Sequence, residues 1–346
     1  MNSIKNHIVV SVLMITYCHD NFIEEAINGV LMQVCDFDIQ LILADDCSPD
    51  KTESVVNRII REHPNGSWIK YKRHIENKGP VGNGIWALDQ AKGKYIALCE
   101  GDDYWTDPLK LQKQVDFFEA NADFAICGSL ARRTYDNLSF QEDVEGEAGE
   151  FEQKDLAQRN FIPSASLLIK REHTIDLPCW FYDCPICDWP LLLICSNHGK
   201  IKIFEEQMVL RHVHAGGIWG GNIIGQNNDK NILTLISMFD VIRDKFSPDI
   251  NDILNNNYLK QLIKLIEYYF KQQRFDEVGQ YLQVLLNEER NISEEVENIT
   301  KVFTKKMTLQ EQEINNLKML NNQLINSNSY KLGRQITGVF SFLKKK

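Results

Sequence analysis

Residues 95–105, YIALCEGDDYW, join an apolar run to three acidic residues that fall within four positions. The first five letters have the composition of a buried strand. Acidic side chains bunched at a strand end repel one another, and a divalent cation that also binds a polyanionic ligand relieves this repulsion. Mg2+ or Mn2+ with a diphosphate suits such a site, because both ions accept carboxylate oxygens. A solvated turn that caps the next helix explains the same letters, and the neighbouring sequence decides between the two.

Bulk properties limit the class of protein. The 346 residues suffice for one large domain or two ordinary ones, and 43% of them are hydrophobic. The formal net charge of -10 argues against general nucleic-acid binding. The nine cysteines show no zinc-site spacing, and no signal peptide or transmembrane segment is evident. We therefore expect reduced thiols and a cytoplasmic location.

The first half of the chain alternates strands and helices. Apolar runs predict strands at 8–15, 39–44, 68–72 and 95–99, and segments with helical spacing separate them. This order predicts an α/β fold with a mostly parallel, doubly wound sheet. Ligands of such sheets bind beyond the carboxyl ends of the strands. Tyr17, Asp46 and Asp102 fall at these ends, so we expect them to share one rim.

The second half carries weaker patterns. Residues 141–155 contain seven Asp or Glu, which predicts a solvated loop. A strand is expected at 164–170, a helix at 188–197 and a short strand at 201–204. From about residue 229 onward the spacing of apolar residues predicts helices.

Four motifs occur in an informative order. They are VVSVLMITY at 9–17, LILADDCSPD at 41–50, GKYIALCEGDD at 93–103 and CDW at 187–189. Their combination resembles the family 2 glycosyltransferases over about residues 8–220. The resemblance implies the nucleotide-diphospho-sugar transferase (GT-A) fold and transfer of a sugar from a nucleotide-diphosphate donor, most simply UDP.

The resemblance implies a donor site along the first strands. Tyr17 would offer a ring face to the nucleobase, and the Asp46 carboxylate would accept its N–H. Lys78 and Asn83 precede or open the third helix and would lie near the sugar and phosphates. For Lys78 a solvated surface lysine is the equal alternative, and for Tyr17 an ordinary rim aromatic.

The acidic motif corresponds to the family's metal-binding motif, which is usually Asp-x-Asp-Asp. Asp103 is the first predicted metal ligand, and Asp102 would contact the metal or the ribose. Glu100 departs from the pattern and is left out of the predicted ligand set.

The segment RHVHAGG at 211–217 resembles the family's Tyr-Arg-x-His-x-Gly-Gly. The resemblance implies that His214 reaches the metal or the diphosphate. It also implies that the cation of the motif has moved to Arg211, and that Trp219 closes over the site.

Asp188 matches the catalytic carboxylate of the family at the start of a helix. A hydroxyl acceptor needs a base within hydrogen-bond reach, and one base suffices for an inverting transfer. The helix dipole should keep this carboxylate ionised. The alternatives are a plain N-cap at Asp188, or Asp183 as the base.

The expected organisation is a GT-A catalytic domain at 1–228, a helical extension at 229–292 and a tail at 293–346. The helices would dimerise the protein, dock partners or pack on the catalytic domain. The basic, apolar end at 331–346 would either lie on an anionic membrane at its inner face or form a soluble tail.

The expected function is an inverting, metal-dependent glycosyltransferase with a glycan or lipid-linked glycan acceptor. A non-catalytic scaffold that kept the fold is the second hypothesis. A sugar nucleotidyltransferase is the third, although residues 16–21 lack the glycines and basic residues that hold a triphosphate.

Overall fold

The computed structural model describes residues 8–135, 143–214, 216–217 and 229–288, with scattered residues between 301 and 323. Trp219 and the tail at 331–346 lie outside the described residues. The chain divides into two compact units, Met1–Gln261 and Leu262–Lys346. The predicted boundaries at 228 and 292 stay predictions.

The first unit is built on one large sheet. Its strands are β1 (Ile8–Thr16), β2 (Asp38–Asp45), β3 (Ile69–Arg73), β4 (Tyr95–Leu98), β5 (Tyr104–Trp105), β6 (Phe124–Tyr135), β7 (Asp143–Glu145), β8 (Gly149–Phe151), β9 (Leu168–Lys170) and β10 (Lys200–Val213). Their order in the sheet is β3-β2-β1-β4-β9-β6-β10-β5, with β7 beside β6 and β8 beside β10.

Among the described helices, the first six each lie between two strands along the chain, and the next three come after β10. They are α1 (Ile23–Leu31), α2 (Thr52–Glu62), α3 (Gly79–Asp89), α4 (Lys110–Ala120), α5 (Gln153–Gln158), α6 (Asp188–Ser196), α7 (Asp229–Ile242), α8 (Pro248–Lys271) and α9 (Phe275–Asn287). None of the helices in the described part of the chain is long and apolar enough to cross a membrane.

The α/β fold class is confirmed, and the parallel arrangement holds for the first four strands in the sheet order. β1 pairs in parallel with β2 and β4, and β2 pairs in parallel with β3. Val12 and Leu41 are fully buried, as expected for strands covered on both faces. The chain runs from β1 to one side and returns at β4 on the other, so strand order reverses between β1 and β4. Open α/β sheets bind ligands at such a switch point.

Beyond β4 the sheet is mixed, and here the sequence predictions were partly wrong. β9 runs antiparallel to both β4 and β6. The acidic stretch at 141–155 is not a plain loop, because it contains β7, β8 and the start of α5. The short strand predicted at 201–204 is the start of β10, which extends to Val213 and carries the HVH segment back to the rim.

The acidic loop that follows β4 lies directly against the end of β1. The Gly101 backbone N–H donates to Ile15 O at 3.0 Å. A Cβ at Gly101 would lie 2.7 Å from Thr16 Oγ1 and 2.9 Å from His19 Nδ1. Only a glycine lets the two loops approach this closely.

We therefore predict that Gly101→Ala destabilises the protein by about 1–3 kcal/mol, because the added methyl must push the loops apart. Gly84→Ala is the matched control. Gly84 lies within α3, nothing stands within 4 Å of its added Cβ, and alanine should stabilise the helix by about 0.5–1 kcal/mol. Urea unfolding of both variants tests the pair. Equal shifts for the two would contradict the close approach at Gly101.

Lys110 is a fully buried lysine beneath this region. Its Nζ donates to Gln114 Oε1 at 2.9 Å and lies 4.1 Å from the centroid of the Trp105 ring. Gln114 in turn donates to Ser166 O at 2.9 Å. Burial lowers the pKa of Lys110 to about 7, because a buried ammonium loses its hydration.

This lowered pKa should make stability depend on pH. Between about pH 7 and 10 the unfolded chain holds a proton at Lys110 that the folded chain has released. The free energy of unfolding should therefore rise across this window and stay at its lower value below it. The total effect is on the order of 4 kcal/mol.

Lys110→Met should remove that rise, as measured by urea unfolding at pH 6.5, 8 and 9.5. Lys113→Met is the control, because Lys113 lies on the same helix and is partly exposed beside Asp107. Parallel profiles for wild type and Lys110→Met would show that this lysine does not titrate as stated.

Candidate functional site

The loops after β1 and β2 are joined side by side at the rim of the sheet. Backbone amides of the first loop donate to side chains of the second: Cys18 N to Ser48 Oγ (3.0 Å), His19 N to Thr52 Oγ1 (3.2 Å) and Asp20 N to Asp50 Oδ2 (3.1 Å). Cys18 and Cys47 occupy corresponding places and both have a positive φ, 58° and 64°. The two loops thus form one connected wall of the site.

Tyr17 and Asp46 lie at the ends of β1 and β2, as predicted. The Tyr17 residue is 46% exposed, so its ring is accessible at the rim. Asp46 is buried, and its Oδ1 accepts the backbone N–H of Lys78 at 2.7 Å. Lys78 itself is exposed at the start of α3. Asp46 and Lys78 therefore meet through the Lys78 backbone, while Tyr17 lies at the end of the neighbouring strand β1.

The placement of Asn83 argues against its predicted contact with the donor. Asn83 is 1% exposed. Its Nδ2 donates to Ala44 O at 2.9 Å, and its Oδ1 lies 3.1 Å from His74 Nε2. Both ends of the amide are used inside the protein, so Asn83 fixes α3 against β2.

Asp103 is also placed differently from its prediction as the first metal ligand. It is 4% exposed. Its Oδ1 accepts the His212 backbone N–H at 3.0 Å, and its Oδ2 lies 3.3 Å from Arg211 Nε. Burial and the neighbouring Asp102 raise the pKa of Asp103 well above its usual range, while Arg211 opposes them. The contacts of the Asp103 carboxyl are therefore with groups inside the protein rather than with the three residues that fit an ion.

Asp102, in contrast, faces two imidazoles. Its Oδ2 lies 3.1 Å from His214 Nε2 and 3.8 Å from His19 Nε2. Burial acts to raise the pKa of Asp102, but the His214 hydrogen bond and the two imidazoles hold it below the ordinary value. One ligand atom from each of the three residues can be chosen so that all lie within 4.8 Å of one another. Among the described residues, Asp102, His19 and His214 are therefore the set that fits a metal ion.

Arg211 connects the acidic loop to β7. Its Nη1 lies 2.6 Å from both carboxylate oxygens of Glu145, while its Nε faces Asp103. Burial acts to lower the pKa of Arg211, but Asp103 and Glu145 together raise it. A guanidinium shared by two carboxylates stays charged, and the binding of a diphosphate by Arg211 stays a prediction.

Asp188 is the first residue of α6. Trp189 anchors this end of the helix, because its Nε1 donates to Leu156 O at 2.9 Å and its ring packs edge-on against Phe239. Burial raises the pKa of Asp188, and backbone N–H groups and the charge of Arg211 act against that rise. The expectation that the helix dipole keeps this carboxylate ionised stays a prediction. The charge of Arg211 acts on both Asp188 and Asp103, which associates the start of α6 with the acidic loop.

The sequence patterns did not single out His19 or Glu145. A histidine just past the end of β1, at the switch point, is a signal that points to His19 in retrospect. Glu145 had no comparable signal, because it is one of seven acidic residues in 141–155.

Three kinds of chemistry thus meet at this rim. Tyr17 exposes a ring face at the rim, and the predicted contacts of Tyr17 and Asp46 with a nucleobase stay predictions. Asp102 and the imidazoles offer ligands to a divalent cation. Asp188, with its raised pKa, is a carboxylate suited to accept a proton.

Comparison with known proteins agrees with this geometry. Residues 11–172 match the family described as Glycosyl transferase family 2. An uncharacterized protein of Mycobacterium tuberculosis is 32% identical over 222 residues, which are 60% of this chain and 60% of the relative. The match thus spans less than two thirds of that relative's length.

Two further proteins are informative. The Escherichia coli protein WfaP, named as a UDP-Glc:alpha-D-GlcNAc-diphosphoundecaprenol beta-1,3-glucosyltransferase, is 32% identical over 116 residues, or 34% of this chain and 43% of its own. The structure of Staphylococcus aureus TarS 1-349 in complex with UDP-GlcNAc aligns with a TM-score of 0.61 at 16% identity, covering 84% of each chain. At that identity the likeness shows the fold alone. Residues 11–172 are thus similar to the family 2 glycosyltransferases, and the shared fold agrees with this match.

Proposed function

We propose that this protein is an inverting, metal-dependent glycosyltransferase that moves a sugar from a nucleotide-diphosphate donor to a hydroxyl group. The observation that carries the proposal is the link through Arg211, which contacts Asp103 and acts electrostatically on Asp188. The link supports a site in which Asp188, as the base, faces the acidic loop that would hold the cation. An inverting transfer needs that arrangement and no second flanking acid.

In the proposed reaction Asp188 takes the proton of the acceptor hydroxyl. The acceptor oxygen then attacks the anomeric carbon from the face opposite the diphosphate, and the bond to the diphosphate breaks. A divalent cation bound by Asp102 and His214 would supply positive charge to the leaving diphosphate. Arg211 adds a fixed positive charge at the same place, while Tyr17 and Asp46 hold the base.

UDP is the favoured donor nucleotide, with support from the fold shared with a UDP-GlcNAc complex. The acceptor we propose is a sugar hydroxyl on a growing glycan or on a lipid-linked glycan. The name of the Escherichia coli relative, which acts on a sugar joined to diphosphoundecaprenol, favours the lipid-linked form. The basic residues at 331–346 would then hold the enzyme at the inner face of the membrane.

Asp188→Asn should reduce transfer at least about 100-fold, because the amide cannot accept the proton. Donor binding should persist, since Asp188 touches the acceptor side. Transfer is measured by UDP release in the presence of acceptor, and donor binding by calorimetry. Asp183→Asn is the control for the rival base and should keep most of the activity. Turnover at the wild-type rate in Asp188→Asn would show that Asp188 is not the base.

A panel of nucleotide sugars tests the donor. The thermal midpoint should rise with UDP-sugars in the presence of Mn2+, because binding to the folded state alone stabilises it. Asp46→Ala should weaken this response by removing the acceptor for the N–H of the base. The absence of a shift with every nucleotide sugar, with and without metal, would favour the scaffold hypothesis.

A further inference from the structure

His19 lies beside the Asp102–His214 pair, just past the end of β1. Its Nε2 lies 3.8 Å from Asp102 Oδ2. Its ring centroid lies 6.1 Å from that of His214, with the two planes nearly perpendicular. The side chain is 16% exposed, so it belongs to the wall of the cleft rather than to open solvent.

Several contacts fix the position of this imidazole. The His19 backbone N–H donates to Thr52 Oγ1, and its carbonyl accepts the N–H groups of Phe22 and Ile23 at the start of α1. The Phe22 ring packs edge-on against His19 and lies 4.7 Å from His214. His19 Nδ1 is buried without a hydrogen-bond partner near Gly101, which leaves Nε2 as the nitrogen directed at Asp102.

The donor atoms determine which ion this set prefers. Two imidazole nitrogens and one carboxylate oxygen resemble the ligand sets that bind first-row transition ions. Mg2+ prefers an all-oxygen octahedron and gives up water reluctantly. Three protein ligands also leave coordination positions for the oxygens of a diphosphate.

We propose that His19 is a third protein ligand beside Asp102 and His214, and that this nitrogen-rich set selects transition-metal ions such as Mn2+ and Co2+ over Mg2+. The set binds the ion before any nucleotide arrives. Only the role of the ion in sugar transfer rests on the proposed function. The three ligands themselves need neither donor nor acceptor to bind the ion.

The test is Mn2+ binding to the full-length protein without nucleotide, followed by electron paramagnetic resonance and with Mg2+ as competitor. His19→Asn should weaken Mn2+ binding by at least about 10-fold. His19→Asp replaces a nitrogen by an oxygen and should narrow the preference for Mn2+ over Mg2+. His173→Asn is the control, because His173 belongs to a separate stacked pair with His198, and it should bind Mn2+ as the wild type does.

Pulsed spectra of the Mn2+-loaded wild type supply a readout that does not depend on any variant folding. They should show two coupled imidazole nitrogens, and His19→Asn should show one. A single coupled nitrogen in the wild type, or equal Mn2+ affinity in wild type and a folded His19→Asn, overturns the proposal. Normal Mn2+ binding without sugar transfer would instead count against the proposed function alone.

Discussion

The repulsion among three carboxyl groups at one strand end governs the arrangement of the whole rim. Glu100, Asp102 and Asp103 fall within four consecutive positions, and the protein gives each a different surrounding. Asp103 is turned inward onto Arg211 and a backbone amide, while Asp102 faces two imidazoles. Burial and the neighbouring Asp102 raise the pKa of Glu100. Of the three carboxyl groups, that of Asp102 is the one that faces the two imidazoles.

The fold supplies what this loop requires. The reversal of strand order between β1 and β4 opens a cleft between the loops that follow them. Gly101 allows those loops to touch, and the length of β10 brings Arg211 and His214 to the same end of the sheet. Asp188 belongs to a different element, since it lies in the first turn of α6. The site thus draws on residues that are far apart in sequence and share one edge.

The sequence was informative wherever a rule depends on strand direction. Apolar runs predicted the parallel block, and the rule that ligands bind at carboxyl ends of strands predicted that Tyr17, Asp46 and Asp102 lie together. Features that depend on how a side chain turns within a loop were not predictable. Neighbours such as Asp102 and Asp103 point in opposite directions, and only the contacts with Arg211 and His214 show which faces the cleft. The same limit applies to Asn83, whose amide turns inward.

The pairing of strands that are distant in sequence set a second limit on what could be predicted. The position of Glu145 follows from the register of β7 on β6, which aligns Glu145 with Ala131. No local pattern in an acidic stretch encodes that register. The raised pKa of Asp188 likewise reflects the depth of its burial, which the helix-start motif alone does not reveal.

The hydrogen bond from the His19 N–H to Thr52 Oγ1 connects the first residue of α2 to the site. Thr52 is fully buried and begins a helix whose other residues have no part in the chemistry. A change in the first turn of that helix would move the imidazole without altering any group that meets the substrate. A substitution in the first turn of α2 could therefore shift His19 and change the properties of the site while the residues that line it stay the same.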